Sequence, residues 1–144
     1  MNGYAQGLTM ARVNQVLLWL MSVVYLSAGI MHFVNAPFFI RIVPDYLPWH
    51  AGLVYLSGVC EIALGVLVLL PATRGLAAWG IIALLIAVFP ANVNMLVHRI
   101  PVQEGTPPDM LALWVRLPLQ GVLIAWAWWY TRPRVASRQL SIEA

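Results

Sequence analysis

Charged side chains are scarce in this 144-residue chain, and lysine is missing altogether. Only 9% of the residues are charged, against about a quarter in a typical soluble domain, and 62% are hydrophobic. The arginines form no basic patch with interleaved aromatic residues, which argues against nucleic acid as a partner. The composition is that of an integral membrane protein whose solvent is the lipid bilayer.

The groups of common catalytic sites are equally scarce. Cys60 is the only cysteine, so the chain by itself cannot form a disulfide or run dithiol chemistry. His32, His50 and His98 lack the close spacing of metal ligands. The sequence therefore predicts no catalytic residue, no metal and no covalently bound cofactor. Whether the chain belongs to an enzyme stays open, and an independent enzyme is disfavoured.

Four apolar runs each approach the roughly 20 residues that a helix needs to cross a bilayer. They cover about 13–33, 51–70, 76–97 and 110–130. Short connections and tails take up the rest, so the sequence predicts one all-helical domain over 1–144, an integral membrane four-helix bundle. The apolar, proline-rich stretch between the first two helices predicts an interfacial segment made of a short helix and an extended turn.

Arginine sets the predicted orientation. One side of the membrane would carry the two tails and the second connection, with Arg12, Arg74, Arg132, Arg134 and Arg138. The other side has Arg41 and Arg99, diluted by acidic residues. The positive-inside rule then places both termini in the cytoplasm.

An isolated acid, Glu61, lies halfway along the second run. At 1.5 Å per residue, Glu61 and Gln120 lie about 15 Å below the outer surface, and Arg116 and Asn92 about 9 Å below it. His32 ends the first helix. These five residues predict an outward-facing, ligand-binding polar pocket with an intramembrane ion pair between Glu61 and Arg116. A network that only fixes helix packing is the alternative.

The segment between the first two helices would cover this pocket as a lid, with Arg41, Asp45 and Tyr46 at its rim. Passive anchoring in the membrane interface is the alternative. Pro90 and Pro118 would kink two helices at the level of the polar residues. Small residues at four-residue spacing support close helix contacts, either within the bundle or in a homodimer.

Ordered motifs run from the first helix through the third: Gly29 to Phe33, Ile42-Val43-Pro44, Tyr46-Leu47-Pro48, Ser57-Gly58 with Glu61 and Gly65, Thr73-Arg74, and Val88 to Asn92. Taken in order, they resemble the DoxX-like family of small bacterial membrane proteins. The resemblance implies a four-helix bundle in the bacterial cytoplasmic (inner) membrane, with a redox or stress complex as its partner. Members associated with redox chemistry would be expected to carry cysteine pairs, which this chain lacks.

Two functions remain open on this evidence. In the first, the chain is a quinone-, lipid- or small-amphiphile-binding subunit of a membrane redox or stress complex. Arg116 would then meet an anionic or carbonyl oxygen, with Asn92 and Gln120 completing the hydrogen bonds. In the second, it is an assembly factor or receptor that captures a segment of a partner protein. A transporter is less favoured, because the sequence shows no inverted repeat.

Overall fold

The computed structural model describes the backbone of residues 2–132 and the side chains of residues 9–132. Within that range it contains five helices and no strand: α1 (Asn2–Val34), α2 (Ala36–Ile42), α3 (His50–Leu67), α4 (Arg74–Val97) and α5 (Met110–Trp129). The predicted all-helical fold is therefore confirmed. Two of the arginines used for orientation, Arg134 and Arg138, lie outside the described residues.

Four of the helices are long and apolar enough to cross a membrane: Thr9–Val34 within α1, and α3, α4 and α5 in full. Large apolar side chains are exposed on all four, among them Val16, Leu56, Leu76 and Val122. Such an exterior suits lipid as a solvent, because lipid tails are as apolar as leucine. These features support a multi-pass membrane protein.

The long helices pack in sequence order, α1 against α3, α3 against α4, and α4 against α5. Side chains from α1, α4 and α5 form the larger core, which includes Met21, Ile81 and Ala127. At one end of the bundle, which we call the tail end, the Tyr130 hydroxyl donates to the carbonyl of Asn14 at 3.4 Å. The helices α3 and α5 do not pack against each other.

Local signals explain where α3 ends and where α5 begins. α3 stops at Leu67, short of residue 70, and Pro71 follows four residues later. The Thr73 hydroxyl donates to the carbonyl of Leu67, and the Arg74 guanidinium donates to the two carbonyls that follow it. A cation at a helix C-terminus satisfies free carbonyls and complements the helix dipole. Asp109 caps the start of α5, and its carboxylate accepts from the backbone N–H groups of Leu111 and Ala112.

Glycine permits a very close approach between α1 and α3. A Cβ atom added at Gly29 would lie 2.7 Å from the carbonyl oxygen of Gly58, and one added at Gly58 would lie 2.8 Å from the Cβ of His32. Further along, a Cβ at Gly65 would lie 3.2 Å from the carbonyl oxygen of Ser22. Small residues that bring backbones together are the usual basis of helix association in membranes.

The short helix α2 lies in the opposite end of the bundle, which we call the α2 end. Phe33 stacks on Tyr55 with ring centroids 5.6 Å apart, so α1 ends almost level with Tyr55. α3 extends five residues further, to His50, or about 7–8 Å. α2 fills the space that α1 leaves, and buries Phe38 and Ile42 against residues of α4 and α5. The predicted short helix is present, but its apolar side packs among the long helices.

Candidate functional site

The first polar cluster lies between α1 and α3 and consists of His32 and Glu61, each 8% exposed. The His32 Nδ1 atom lies 3.0 Å from the Glu61 Oε2 atom and 2.9 Å from the carbonyl oxygen of Ala28. A single N–H cannot point along both directions. The Nδ1–H group is aligned with the Ala28 carbonyl. Glu61 Oε2 therefore lies within ion-pair distance of the His32 ring but accepts no aligned hydrogen bond from it.

Sequence reasoning missed the polar residues that continue this cluster along α1. Ser22 is 1% exposed and Tyr25 is 3% exposed, and the Tyr25 hydroxyl has no hydrogen-bond partner among the described residues. Residues 22, 25, 29 and 32 are spaced three and four apart, which places them on one helical face. That spacing was readable in the sequence as a buried stripe of small and polar residues.

The second polar cluster lies between α4 and α5. The Asn92 side-chain amide donates to the Gln120 side-chain oxygen at 2.9 Å, and the Gln120 amide donates to the backbone carbonyl of Leu85. Pro90 has no N–H, so the carbonyl of Ile86, next to Leu85, lacks its usual helical donor. The amide of Gln120 thus binds α4 at the turn that the proline disrupts.

Arg116 belongs to this second cluster. Its Nη1 atom lies 3.5 Å from the sulfur of Met95, and its guanidinium lies 5.8 Å from the centroid of the Phe38 ring. In the described part of the chain, no carboxylate lies within ion-pair distance of it. The predicted ion pair between Glu61 and Arg116 is therefore wrong. Counting residues along the helices shows which side chains lie at the same depth in the membrane. An ion pair also requires that the two helices be adjacent, and α3 and α5 are not.

The five residues predicted to form one pocket thus separate into two groups. His32 and Glu61 contact each other, as do Asn92 and Gln120, while Arg116 lies one turn before Gln120 on α5. The aromatic residues of α2 lie between the groups. Phe39 stacks on His32 with centroids 3.9 Å apart, and its neighbour Phe38 faces Arg116.

The residues predicted for the rim lie at the α2 end, but only Arg41 has a defined role there. It pairs with Glu104 at 3.1 Å and donates to the carbonyl of Pro101 at 3.3 Å, which ties α2 to the connection between α4 and α5. The amide of Asn94 also donates to the carbonyl of Ile42 at 3.1 Å. Asp45 and Tyr46 are exposed.

A groove of about 300 Å³ runs between α4 and α5 beside the second cluster. It is lined by Ile86, Phe89, Leu117, Gln120, Gly121 and Ile124. Ile86 is 60% exposed and Phe89 is 44% exposed, so the groove opens on the outer surface of the bundle. A Cβ added at Gly121 would meet nothing within 4 Å, so a side chain at this position would enter open space beside the groove. Sequence reasoning missed Gly121 because a lone glycine in an apolar run resembles an ordinary packing residue.

Among the described residues, no three histidine, cysteine, aspartate or glutamate side chains lie close enough together to hold a metal ion. The groove between α4 and α5 is an open cavity on the surface of the bundle. Its lining is apolar apart from the amide of Gln120.

Comparison with known proteins assigns the chain to a family other than the expected DoxX-like one. Residues 21–131, more than three quarters of the chain, match a family described as a domain of unknown function, DUF8561. No curated protein matches the chain, and no solved structure does. The DoxX-like resemblance is therefore wrong. Its motifs consist largely of glycines, prolines and polar residues that many tightly packed membrane helices use, such as the glycines at the contact of α1 with α3. The protein is a member of the DUF8561 family.

Proposed function

We propose that this protein binds a small membrane amphiphile, such as a quinone or a lipid, in the groove between α4 and α5. The observation that carries the proposal is a groove of about 300 Å³ with apolar walls and one buried amide, that of Gln120. Sites for small organic ligands occupy about 300–1,000 Å³ and are lined in the same way, by apolar side chains and a few fixed polar groups.

The second polar cluster would orient the ligand. Gln120 is held by Asn92 on one side and by the carbonyl of Leu85 on the other, so its position is fixed before a ligand arrives. One N–H of its amide group remains for a ligand oxygen, because a primary amide has two. Phe89, Leu117 and the other apolar residues of the groove would contact the hydrocarbon part of the ligand.

The side facing the bilayer provides the entry route. Because the groove opens between two helices that can span the membrane, an amphiphile could enter it sideways without passing through water. The association with a redox or stress complex depended on the DoxX-like resemblance and is not part of this proposal.

We also propose that both termini lie in the cytoplasm and that the protein resides in the bacterial cytoplasmic membrane. Arg12 lies in the first turns of α1, Arg74 begins α4 and Arg132 follows α5, and the antiparallel helices bring all three to the tail end. Reporter enzymes that are active on one side only, fused to the N-terminus and to the connection between α4 and α5, would test this orientation.

The functional test fills the groove. Gly121→Leu places an apolar side chain in open space, and Gly52→Leu is the matched control, because Gly52 has only ordinary contacts near the start of α3. Each protein is purified in mild detergent, and the co-extracted small molecules are identified by mass spectrometry. We expect the same amphiphile in the wild type and in Gly52→Leu, and its loss in Gly121→Leu.

Equal recovery of the molecule from all three proteins would contradict a site in the groove. Recovery of a partner protein in place of any small molecule would favour the assembly factor or receptor. Unfolding curves for each variant show whether a loss of ligand reflects a loss of fold.

A further inference from the structure

Arg116 is a cation at membrane depth whose charge is not neutralised within the described part of the chain. It lies six residues inside the start of α5, or about 9 Å along the helix. Of its five N–H donors, one points at the sulfur of Met95, which is a weak acceptor. Cations inside membrane-spanning helices are costly and usually have a partner.

Two other arginines near the helix ends have oxygen partners. Arg41 is paired with Glu104 and bonded to the carbonyl of Pro101. Arg74 donates to the carbonyls of Val68 and Leu69 at the end of α3. Arg116 differs from these two arginines because it has no oxygen partner among the described residues.

The buried and structural carboxylates are also committed elsewhere. Glu61 lies beside His32, between α1 and α3, and Glu104 lies beside Arg41. Asp109 accepts two backbone N–H groups at the start of α5. None of these three lies within ion-pair distance of Arg116, and Asp45 is exposed, so a bound anion would supply a counter-ion that the described residues do not.

The position of Arg116 matches one end of the groove. Leu117 follows it in sequence and Gln120 lies one turn further along, and both line the groove. Side chains on a helix point back towards its N-terminus, so the Arg116 side chain extends from this end of the groove towards the α2 end, where it contacts Met95 and Phe38. Phe38 covers a face of the guanidinium at 5.8 Å, an arrangement that leaves N–H groups at its edge.

Resting on the proposed function, we propose that the ligand is an acidic phospholipid. Its phosphate binds the guanidinium of Arg116, and one of its acyl chains lies in the groove between α4 and α5. A guanidinium matches a phosphate with two parallel hydrogen bonds, and the attraction is strong where water is excluded. The open side of the groove lets the rest of the lipid remain in the bilayer.

The test measures lipid preference. Protein is exchanged into micelles containing equal amounts of phosphatidylglycerol and phosphatidylcholine, purified again, and its retained lipids are quantified by mass spectrometry. We expect wild-type protein to retain phosphatidylglycerol over phosphatidylcholine by about fivefold, because both lipids carry the phosphate but phosphatidylcholine also carries a choline cation, which repels Arg116. Arg116→Met should abolish the preference, and Arg116→Lys, which keeps the charge without the planar fork, should reduce it.

Arg99→Met is the control, because Arg99 is an exposed cation at the same end of the bundle. It should leave the preference unchanged. Equal retention of the two lipids by wild-type protein would overturn the inference, as would a preference that survives Arg116→Met.

The outcomes also separate the inference from the proposed function. A neutral quinone, or a phosphatidylcholine that Gly121→Leu displaces, would overturn the acidic lipid and leave the groove as the binding site. Retention of no amphiphile by wild-type protein would overturn both. If Arg116→Met fails to fold in an unfolding assay, the inference is tested by comparing the lipid preference of the wild type with that of Arg116→Lys.

Discussion

The contact between α1 and α3 predicts that Gly58→Ala destabilises the protein. The added Cβ would lie 2.8 Å from the Cβ of His32, 2.8 Å from the Cε2 of Phe33 and 3.0 Å from the carbonyl oxygen of Gly29. Two of these three atoms, the His32 Cβ and the Gly29 carbonyl oxygen, cannot rotate away as the end of a flexible side chain could. The helices would have to separate, and the distance between His32 and Glu61 would change with them.

The expected magnitude follows from two opposing effects. Overpacking a close contact costs about 1–3 kcal/mol. Alanine is favoured over glycine within a helix by about 1 kcal/mol, which offsets part of that cost. We therefore expect a net loss of up to about 2 kcal/mol for Gly58→Ala.

Gly121→Ala is the matched control, since a Cβ at that position meets nothing within 4 Å. It should be neutral or stabilising by up to about 1 kcal/mol, because only the helix preference applies. The assay is reversible unfolding in mixed micelles with increasing sodium dodecyl sulfate, followed by circular dichroism. Equal unfolding free energies for the two variants would refute the close packing of α1 on α3.

Three further predictions concern the polar residues. In a double-mutant cycle, His32→Ala and Glu61→Gln should show a coupling energy of about 0.5–3 kcal/mol in unfolding free energy. The effects of Glu61→Gln and Arg116→Met on unfolding free energy should be additive to within about 0.5 kcal/mol. Coupling of Glu61 to Arg116 but not to His32 would support the ion pair that the structure excludes. Gln120→Leu should destabilise by about 1–3 kcal/mol in the same assay, because it leaves the partner amide of α4 unsatisfied, and a neutral result would contradict a structural hydrogen bond there. Asp109→Ala should cost about 0.5–2 kcal/mol through the loss of the cap of α5, and an unchanged unfolding curve would show that α5 does not depend on that cap.

The sequence predicts the helices better than it predicts their neighbours. Hydropathy locates the four long helices because each must present an apolar surface wherever it lies in the bundle. Counting along the helices places Asn92 about 9 Å and Gln120 about 15 Å below the outer surface, yet the structure joins the two side chains in a hydrogen bond. Which helices touch depends on contacts such as that of Gly29 with Gly58, and no local pattern in the sequence links two distant glycines.

The placement of α2 was the other feature that local reasoning could not supply. Its prolines and apolar residues predict a short helix, but equally suit a helix lying flat in the membrane interface. What decides its position is the length of α1, which ends about 7–8 Å short of the start of α3 and leaves a space that Phe38 and Ile42 fill.

The most direct test of the account is to map where an amphiphile contacts the protein. A phospholipid with a photoactivatable group on one acyl chain is incorporated with the protein into lipid nanodiscs and irradiated, and the labelled peptides are identified by mass spectrometry. The account predicts labelling concentrated on Phe89, Leu117 and Ile124, and its loss in Gly121→Leu but not in Gly52→Leu. Labelling spread evenly over the lipid-facing surfaces of all four long helices, and unchanged in Gly121→Leu, would contradict it.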